Sequence, residues 1–363
     1  MPPLQRLGRR LLSAPLTVEE DTTIVAADPI PLDVEALEPY QEVFDRFVVC
    51  EFTTIGRFGQ PITWPVTPYL RTGRPEIEVT TGLGYPQKAH NAAADPRVSL
   101  LFSDPLGSGI SDPPMILVQG LAEVDDSDLE ANRRRYARES LAKLPATEAL
   151  EPPDFLRRFF SWYYTRIYIR IRPLRMVVWP GGGSRESPEV VGTLPKLSAS
   201  APTAALPSKP HLVDPQRLAD LGVEYSTAAV SWIGEDRWPA SVRVAFRVDA
   251  AAKRIWFGET SGPDYRPDAL ACLTVHGHAP DMTWQRNMQV RGRLRREGTD
   301  WSISTERLVG GFEIPPGGVI RRSIVNARKA TRFRRIAKRE LARRQDRSAP
   351  SPQSAMTNSE TVR

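Results

Sequence analysis

The sequence predicts a mainly β (α+β) protein that contains two similar β-rich units in tandem. Strand-like segments of β-branched and aromatic residues recur between turn residues along most of the chain. The order of these segments is repeated in the second half, and a stretch rich in Pro, Gly, Ser and Ala separates the halves. With 363 residues, of which 40% are hydrophobic, the chain is long enough for two domains of ordinary size.

The chain divides into five predicted parts. These are an N-terminal arm over residues 1–32, a first β domain over 33–180, a linker over 181–210, a second β domain over 211–320, and a basic C-terminal helix with a disordered tail over 321–363. The arm shows no sustained hydrophobic period, and the linker has few large apolar side chains. Neither segment can therefore bury a core of its own.

In the first unit, apolar residues at helical spacing predict a helix over residues 33–46, which Asp33 can cap. Two more helices are predicted, QKAHNAAAD, which ends before Pro96, and residues 128–144. The predicted strands are FVVCEFTTIG from Phe47, ITWPVTPYL from Ile62, EIEVTT from Glu76, RVSLLF from Arg97, MILVQGLAEV from Met115 and RIYIRIRPLRMVVW from Arg166. The two prolines of ITWPVTPYL indicate an edge or a bulge.

The second unit echoes the first in the same order. The corresponding segments are AAVSWIG from Ala228, WPASVRVAF from Trp238, RIWFGETSG from Arg254, ALACLTV from Ala269 and NMQVRGRLRRE from Asn287. Both copies carry Val-x-Gly in the fifth strand, and this ordered echo predicts a duplication, although any β-meander can produce a similar echo. The second copy lacks the short helix that carries Lys88 in the first.

The positive charge is concentrated at the C-terminus. The net charge is +6, but residues 321–363 hold 13 Lys and Arg against 3 Asp and Glu, so this tail carries +10 and the remainder −4. We expect a solvated helix there. The alternatives are docking across the two units, or contact with anionic lipid, nucleic acid or an anionic cofactor tail. Its apolar residues form only a weak stripe: Ile324, Ala327, Thr331, Ile336 and Leu341.

Cysteine usage and hydropathy predict a reduced, cytoplasmic protein. Cys50 and Cys272 are the two cysteines, and each lies in a strand-like segment of a different predicted domain. No apolar run approaches the roughly 20 residues of a membrane span, and the N-terminus does not resemble a signal peptide. The sequence also lacks the HExxH, GxSxG, CxxC and P-loop motifs.

One set of short motifs in the first unit resembles a known family. The set comprises Gly59-Gln60-Pro61 in the first turn, Thr80-Thr81 at the end of the third strand, Lys88 and Asn91 on the short helix, and Asp95-Pro96-Arg97-Val98-Ser99-Leu100 before the fourth strand. This order resembles that of the FMN-binding split β-barrels, the pyridoxamine 5′-phosphate oxidases and their flavin and deazaflavin reductase relatives. The resemblance covers residues 40–180 well and 212–315 faintly.

The resemblance implies two tandem six-stranded antiparallel split β-barrels with flanking helices, packed as an intrachain pseudo-dimer with cofactors in the grooves between the barrels. It implies an oxidoreductase that uses FMN or the deazaflavin F420 and transfers hydride to or from a small organic substrate. The alternative is a non-catalytic carrier or sensor of flavin or haem. Oxidation of vitamin B6 is a weaker hypothesis for the activity. The additional Arg and His residues with which the phosphate oxidases of this family hold that substrate have no match in this sequence.

The resemblance also implies the site residues. The phosphate would be held by Lys88, Thr80 and Thr81, the ring would be lined by Trp64, Pro65, Val66 and Thr67, and Asn91 and Arg97 would assist. A lysine supplies a point charge for a phosphate, and hydroxyls supply hydrogen bonds. Each residue also has a structural alternative, as a surface lysine, a strand threonine, a core tryptophan, a turn-stabilising asparagine or an arginine paired with an acid.

We predict no metal site and no side-chain nucleophile, because hydride chemistry belongs to the cofactor. The four histidines are scattered, although His276 and His278 share one face of a strand. That pair could ligate haem or a metal, but a polar strand end near the interface is the preferred interpretation.

Overall fold

The computed structural model of the protein describes residues 29–144, 160–197, 213–258, 260–262, 265–311, 313–314 and 319–348. Within these residues, fourteen strands form two antiparallel sheets, one in each half of the chain, and the predicted mainly β fold is confirmed. No helix in the described residues is both long enough and apolar enough to cross a lipid bilayer.

The first unit contains eight strands and five α-helices among its described residues. The strands are β1 Cys50–Ile55, β2 Pro61–Val66, β3 Tyr69–Leu70, β4 Ile77–Gly82, β5 Arg97–Phe102, β6 Met115–Asp125, β7 Arg166–Trp179 and β8 Glu189–Gly192. The helices are α1 Val34–Leu37, α2 Gln41–Arg46, α3 Gln87–Ala94, α4 Leu129–Lys143 and α5 Ser161–Tyr164, with a 3₁₀ turn, Glu38–Tyr40, between the first two. Asp33 caps α1 as predicted, because its carboxylate accepts a hydrogen bond from the Ala36 amide at 2.9 Å.

The prediction of a six-stranded barrel is wrong for the first unit, which forms an eight-stranded sheet. Its strands run in the order β2-β1-β5-β6-β7-β4-β3, and β8 pairs with β7 as an eighth strand. The end strands β2 and β3 are consecutive in the chain and are separated only by Thr67 and Pro68. Because Pro68 has no backbone N–H, it cannot continue a strand ladder there. Residues Glu189–Gly192 lie in the predicted linker but form a strand.

The second unit is a closed barrel of six strands, which helix α6 Pro215–Glu224 precedes in the chain. They are β9 Thr227–Ile233, β10 Pro239–Asp249, β11 Arg254–Phe257, β12 Leu270–His278, β13 Gln285–Glu297 and β14 Asp300–Gly310, in the order β10-β11-β14-β13-β12-β9. The long strand β10 pairs with β9 through its first half and with β11 through its second half. In the first unit, β2 and β3 make the two equivalent pairings, to β1 and β4. The neighbour order of the strands is therefore the same in both units.

The Val-x-Gly motif marks a β-bulge in both units. The strand register shifts at Gly120 in β6 and at Gly292 in β13. A Cβ atom on Gly120 would lie 2.2 Å from the Arg172 carbonyl oxygen, and one on Gly292 would lie 1.9 Å from that of Ser304. Only glycine fits such a close approach of two backbones, which explains why the motif recurs.

The last helix among the described residues, α7 Val319–Ser348, docks on the first unit. Ala330 and Ala337 are buried in the core cluster of that unit. Between them, the Phe333 ring stacks on Trp162 with centroids 5.0 Å apart, and its centroid lies 4.2 Å from that of Tyr85. The basic tail is therefore not fully solvated, since one face of it completes the hydrophobic core of the first unit.

Polar contacts continue the docked face of α7 toward its C-terminal end. The His90 Nε2 atom lies 2.6 Å from the Glu340 carboxylate, and Arg344 donates to Asp126 at 2.9 Å and also pairs with Glu340. The weak apolar stripe does not mark the docked face, because Leu341 is 41% exposed. The outward face is basic, and its contact with nucleic acid or an anionic surface stays a prediction.

We expect Phe333→Ala to loosen α7 from the first unit. Loss of a half-buried ring and its stacking should lower the free energy of local opening by about 2 kcal/mol. Trypsin should then cleave the arginine-rich helix about 30-fold faster, because cleavage follows the open population. Leu341→Ala, on the exposed side of the same helix, is the matched control and should leave the rate unchanged. Equal cleavage of the Phe333→Ala variant and the wild type would contradict the docking.

The two units meet through a buried cluster of four hydroxyl groups. Thr53 and Thr63 of the first unit and Ser231 and Ser241 of the second are all fully buried. Thr63 donates to Ser231 at 2.7 Å, while Thr53 and Ser241 lie 3.0 Å apart. Thr53 and Thr63 face each other across β1 and β2, and Ser231 and Ser241 do so across β9 and β10. The contact therefore joins equivalent positions of the two units.

Candidate functional site

Two cations converge at the N-terminal end of α3. Lys88 is half-buried on this helix, and the buried Arg166 opens β7 directly opposite Gly82, the last residue of β4. Burial, and then the charge of Arg166, lower the pKa of the Lys88 ammonium to about 8. In the described part of the chain, neither cation forms a salt bridge with a carboxylate. Two adjacent and unneutralised cations attract an anion.

Aromatic side chains hold the Arg166 guanidinium. It lies over the rings of Tyr136 and Tyr163, at 4.1 and 4.2 Å from their centroids, and its Nη2 donates to the Tyr136 hydroxyl at 2.8 Å. Its Nε is buried and has no acceptor among the residues that the structure describes. Because an unpaired buried donor is costly, this N–H group is a ready donor to a phosphate oxygen.

The two predicted threonines lie on opposite faces of β4. Thr80 pairs with Tyr168 on the face that also carries Arg166, whereas Thr81 pairs with Ile167, which is part of the core. The Thr81 hydroxyl donates to the Tyr85 carbonyl oxygen at 2.6 Å and so stabilises the turn into α3. Of the two threonines, only Thr80 therefore lies on the side of the cations.

The other two assisting residues already have partners. The Asn91 amide donates to Thr54 at 2.9 Å and accepts from Gln87 at 2.7 Å. Arg97 makes a two-point contact with the Asp95 carboxylate, at 2.9 and 2.5 Å, and a 2.8 Å hydrogen bond to the backbone carbonyl of Arg237 in the second unit.

Asn91 therefore fixes α3 against β1, and Arg97 links the two units. The structure does not bring either side chain into the cation pair as a free donor.

The predicted ring wall on β2 is divided between two environments. Val66 is buried in the core of the first unit. The half-buried Trp64 lies toward the second unit, because a Cβ atom on Gly311 would be 2.7 Å from its indole. Gly311 also borders a cavity of about 310 Å³. Pro65 and Thr67 are half-buried beside Trp64 and Val66. Trp64 therefore lies against the second unit, whereas Val66 packs in the core of the first.

Helix α7 adds a third cation close to this region. Both Arg166 and Arg332 lie near enough to Tyr85 to lower the pKa of its phenol, although burial outweighs them and raises that pKa. Phe333, next to Arg332, covers Tyr85 and Trp162 as described above. The C-terminal helix therefore contributes both apolar cover and positive charge beside the Lys88–Arg166 pair.

Arg166 is the site residue that the sequence reasoning missed. Its place in an alternating strand was visible, but its position beside Lys88 depends on the register of β4 and β7, which pairs Gly82 with Arg166. A search for every arginine at a strand end near the predicted turn would have retained it as a candidate.

No protein-family model matches the chain, and no curated protein matches it. Solved structures similar to it include an F420 reductase, 20% identical over 38% of this chain and 94% of that chain, with a TM-score of 0.29. An FAD-binding protein from Mesorhizobium loti is 18% identical over 40% of this chain and 95% of that chain, with a TM-score of 0.28.

A third similar structure is a Clostridium acetobutylicum protein related to general stress protein 26, of the pyridoxinephosphate oxidase family. It is 10% identical over 44% of this chain and 96% of that chain, with a TM-score of 0.31. These neighbours are proteins of the kind that the motifs in the first unit resemble.

Proposed function

We propose that the protein binds FMN or an F420-type deazaflavin and acts as an oxidoreductase on a small organic substrate. The observation that carries this proposal is the Lys88–Arg166 pair, two adjacent cations whose charges no described carboxylate balances. A phosphate would supply the missing negative charge and would accept from the buried Arg166 Nε. The bound cofactor would supply the hydride chemistry.

The residues around the pair would orient the cofactor. Lys88 and Arg166 would hold the phosphate, and Thr80 lies on the same face of β4 and can donate a hydroxyl hydrogen bond. Trp64, at the contact with the second unit, offers an aromatic surface for the ring. The groove between the two units is where a ring anchored in this way would lie.

The two units are proposed to form an intrachain pseudo-dimer that arose by duplication. The shared strand order, the paired bulges and the buried hydroxyl cluster support this arrangement. A contact between equivalent patches is the signature of a two-fold interface. The described residues between β11 and β12 form no helix equivalent to α3, so we expect one cofactor for each chain.

The most direct test is titration of the purified full chain with FMN and with F420, followed by absorbance and fluorescence. We expect saturable binding of one molecule of one of them for each chain. Turnover of the bound cofactor with a panel of acceptors then separates an enzyme from a carrier, because a bound but redox-idle cofactor favours the carrier. Absence of binding of either compound at any accessible concentration would refute the proposed function.

Cofactor affinity should depend on pH through Lys88. The ammonium is charged below its pKa of about 8 and neutral above it, so the dianionic phosphate of FMN loses one favourable charge as the pH rises. We expect the dissociation constant to increase above pH 8, with a slope approaching tenfold per pH unit.

The matched variant for this pH dependence is Lys88→Arg. A guanidinium keeps its charge to far higher pH, so its FMN affinity should be flat across the same range. A wild-type titration that is equally flat would contradict the assignment of Lys88 to the phosphate.

A further inference from the structure

A second cluster lies at the contact between the two units, away from the Lys88–Arg166 pair. His276 and His278 come from the end of β12 in the second unit, and Asp104 follows β5 in the first. One ligand atom from each residue lies within 4.8 Å of the other two. Both imidazoles are 2% exposed, whereas the Asp104 side chain is 21% exposed, so the cluster opens toward solvent on the Asp104 side.

The outer contacts of each imidazole allow one nitrogen to face the cluster. His278 Nδ1 lies 2.9 Å from the Ala279 carbonyl oxygen, to which it can only donate, so Nε2 is left as the basic nitrogen. His276 Nε2 lies 2.7 Å from a Glu51 oxygen and 2.8 Å from the Arg243 guanidinium. In the tautomer that donates from Nε2 to Glu51, Nδ1 of His276 is the basic nitrogen and faces Asp104.

The separations within the cluster are too long for hydrogen bonds. Asp104 Oδ2 lies 3.7 Å from His276 Nδ1 and 3.5 Å from His278 Nε2. Neither nitrogen has a hydrogen-bond partner anywhere in the described residues. Ligands of a tetrahedral metal ion at bond lengths of about 2.0 Å lie about 3.3 Å apart, close to these values.

We propose that Asp104, His276 and His278 bind a divalent transition-metal ion, such as Zn²⁺, between the two units. Two imidazoles and one carboxylate are a ligand set for such ions, and a fourth position stays open on the side of Asp104. The outer partners Glu51 and the Ala279 carbonyl orient the rings, as outer carboxylates and carbonyls commonly do for metal-ligating histidines. Because the ligands come from both units, the ion fastens one unit to the other.

The test uses the full chain, stripped of metal with a chelator and titrated with Zn²⁺ against a chromophoric competitor. Co²⁺ is then added separately, since its visible absorption reports the coordination geometry. We expect one ion for each chain, with submicromolar affinity for Zn²⁺, and a rise in the melting temperature on binding. Asp104→Asn, which preserves the shape of the side chain, and His278→Gln should each weaken binding by about 100-fold or more.

The matched control is His90→Gln, which removes an imidazole that pairs with Glu340 and is not part of the Asp104–His276–His278 cluster. It should bind Zn²⁺ as the wild type does. The proposal fails if the wild-type chain takes up no stoichiometric ion, as expected if Asp104 and the imidazoles merely share a proton. It also fails if Asp104→Asn binds with wild-type affinity, and this variant decides the question should His278→Gln not fold.

Discussion

Lys88→Ala should weaken FMN binding by about 10- to 100-fold. A hydrogen bond to a charged group contributes about 1.5–3 kcal/mol, and each 1.4 kcal/mol is a factor of ten in the dissociation constant. The effect is expected at the upper end of this range, because Arg166 alone would then face the phosphate in a partly buried site. Fluorescence titration at pH 7 measures it directly.

Riboflavin provides the matched ligand for this experiment, because it carries the same ring and lacks the phosphate. The Lys88→Ala variant should bind riboflavin as the wild type does. If the variant loses affinity for both ligands equally, Lys88 acts on the fold or the ring, and the phosphate assignment is wrong. Arg166→Lys is a second variant, which should weaken FMN binding because an ammonium cannot stack on Tyr136 and Tyr163 as a guanidinium does.

Gly292→Ala should destabilise the second barrel by about 3 kcal/mol or more, because overpacking at a fixed backbone contact cannot relax cheaply. The new Cβ atom would lie 1.9 Å from the Ser304 carbonyl oxygen and 2.9 Å from the Ile303 side chain. Either β13 and β14 separate locally or the bulge shifts, and both changes break ladder hydrogen bonds. The midpoint of urea unfolding measures the loss.

Gly298→Ala, in the adjacent turn, separates this clash from the general effect of losing a glycine. Gly298 has a φ of +64°, but a Cβ atom there would meet nothing within 4 Å. Gly298→Ala should therefore lower the free energy of unfolding by only about 1 kcal/mol, which is the cost of placing alanine in a left-handed backbone conformation. If the two substitutions prove equally mild, the bulge does not require glycine, and its recurrence at Gly120 needs another explanation.

The regular elements could be predicted because their patterns are local. The alternating strands, the Asp33 cap and the helix before Pro96 all depend on residues that are near one another in sequence. Strand β8 was missed because it is an edge strand with little burial, and its residues read as part of a linker. The docked face of α7 was missed because Glu340 and Arg344 belong to it, and no apolar stripe reveals such a face.

The site was only partly predictable, because it depends on residues that strand pairing brings together. Lys88 could be found from its motif, but Arg166 is 78 positions away and reaches it through the register of β4 and β7. The same limit hid Asp104 from the histidine pair, which lies on a strand of the other unit. The placement of Thr80 and Thr81 on opposite faces of β4 follows from the sequence, since neighbouring strand residues point to opposite faces.

The position of α7 determines when the first unit can complete its fold during synthesis. The core of the first unit includes Ala330 and Ala337, which are translated after every strand of the second unit. A nascent chain that has completed the first sheet therefore leaves Trp162 and Tyr85 without the cover of Phe333 until this residue has been translated. Truncation anywhere before residue 330 removes the final piece of a domain that began some three hundred residues earlier.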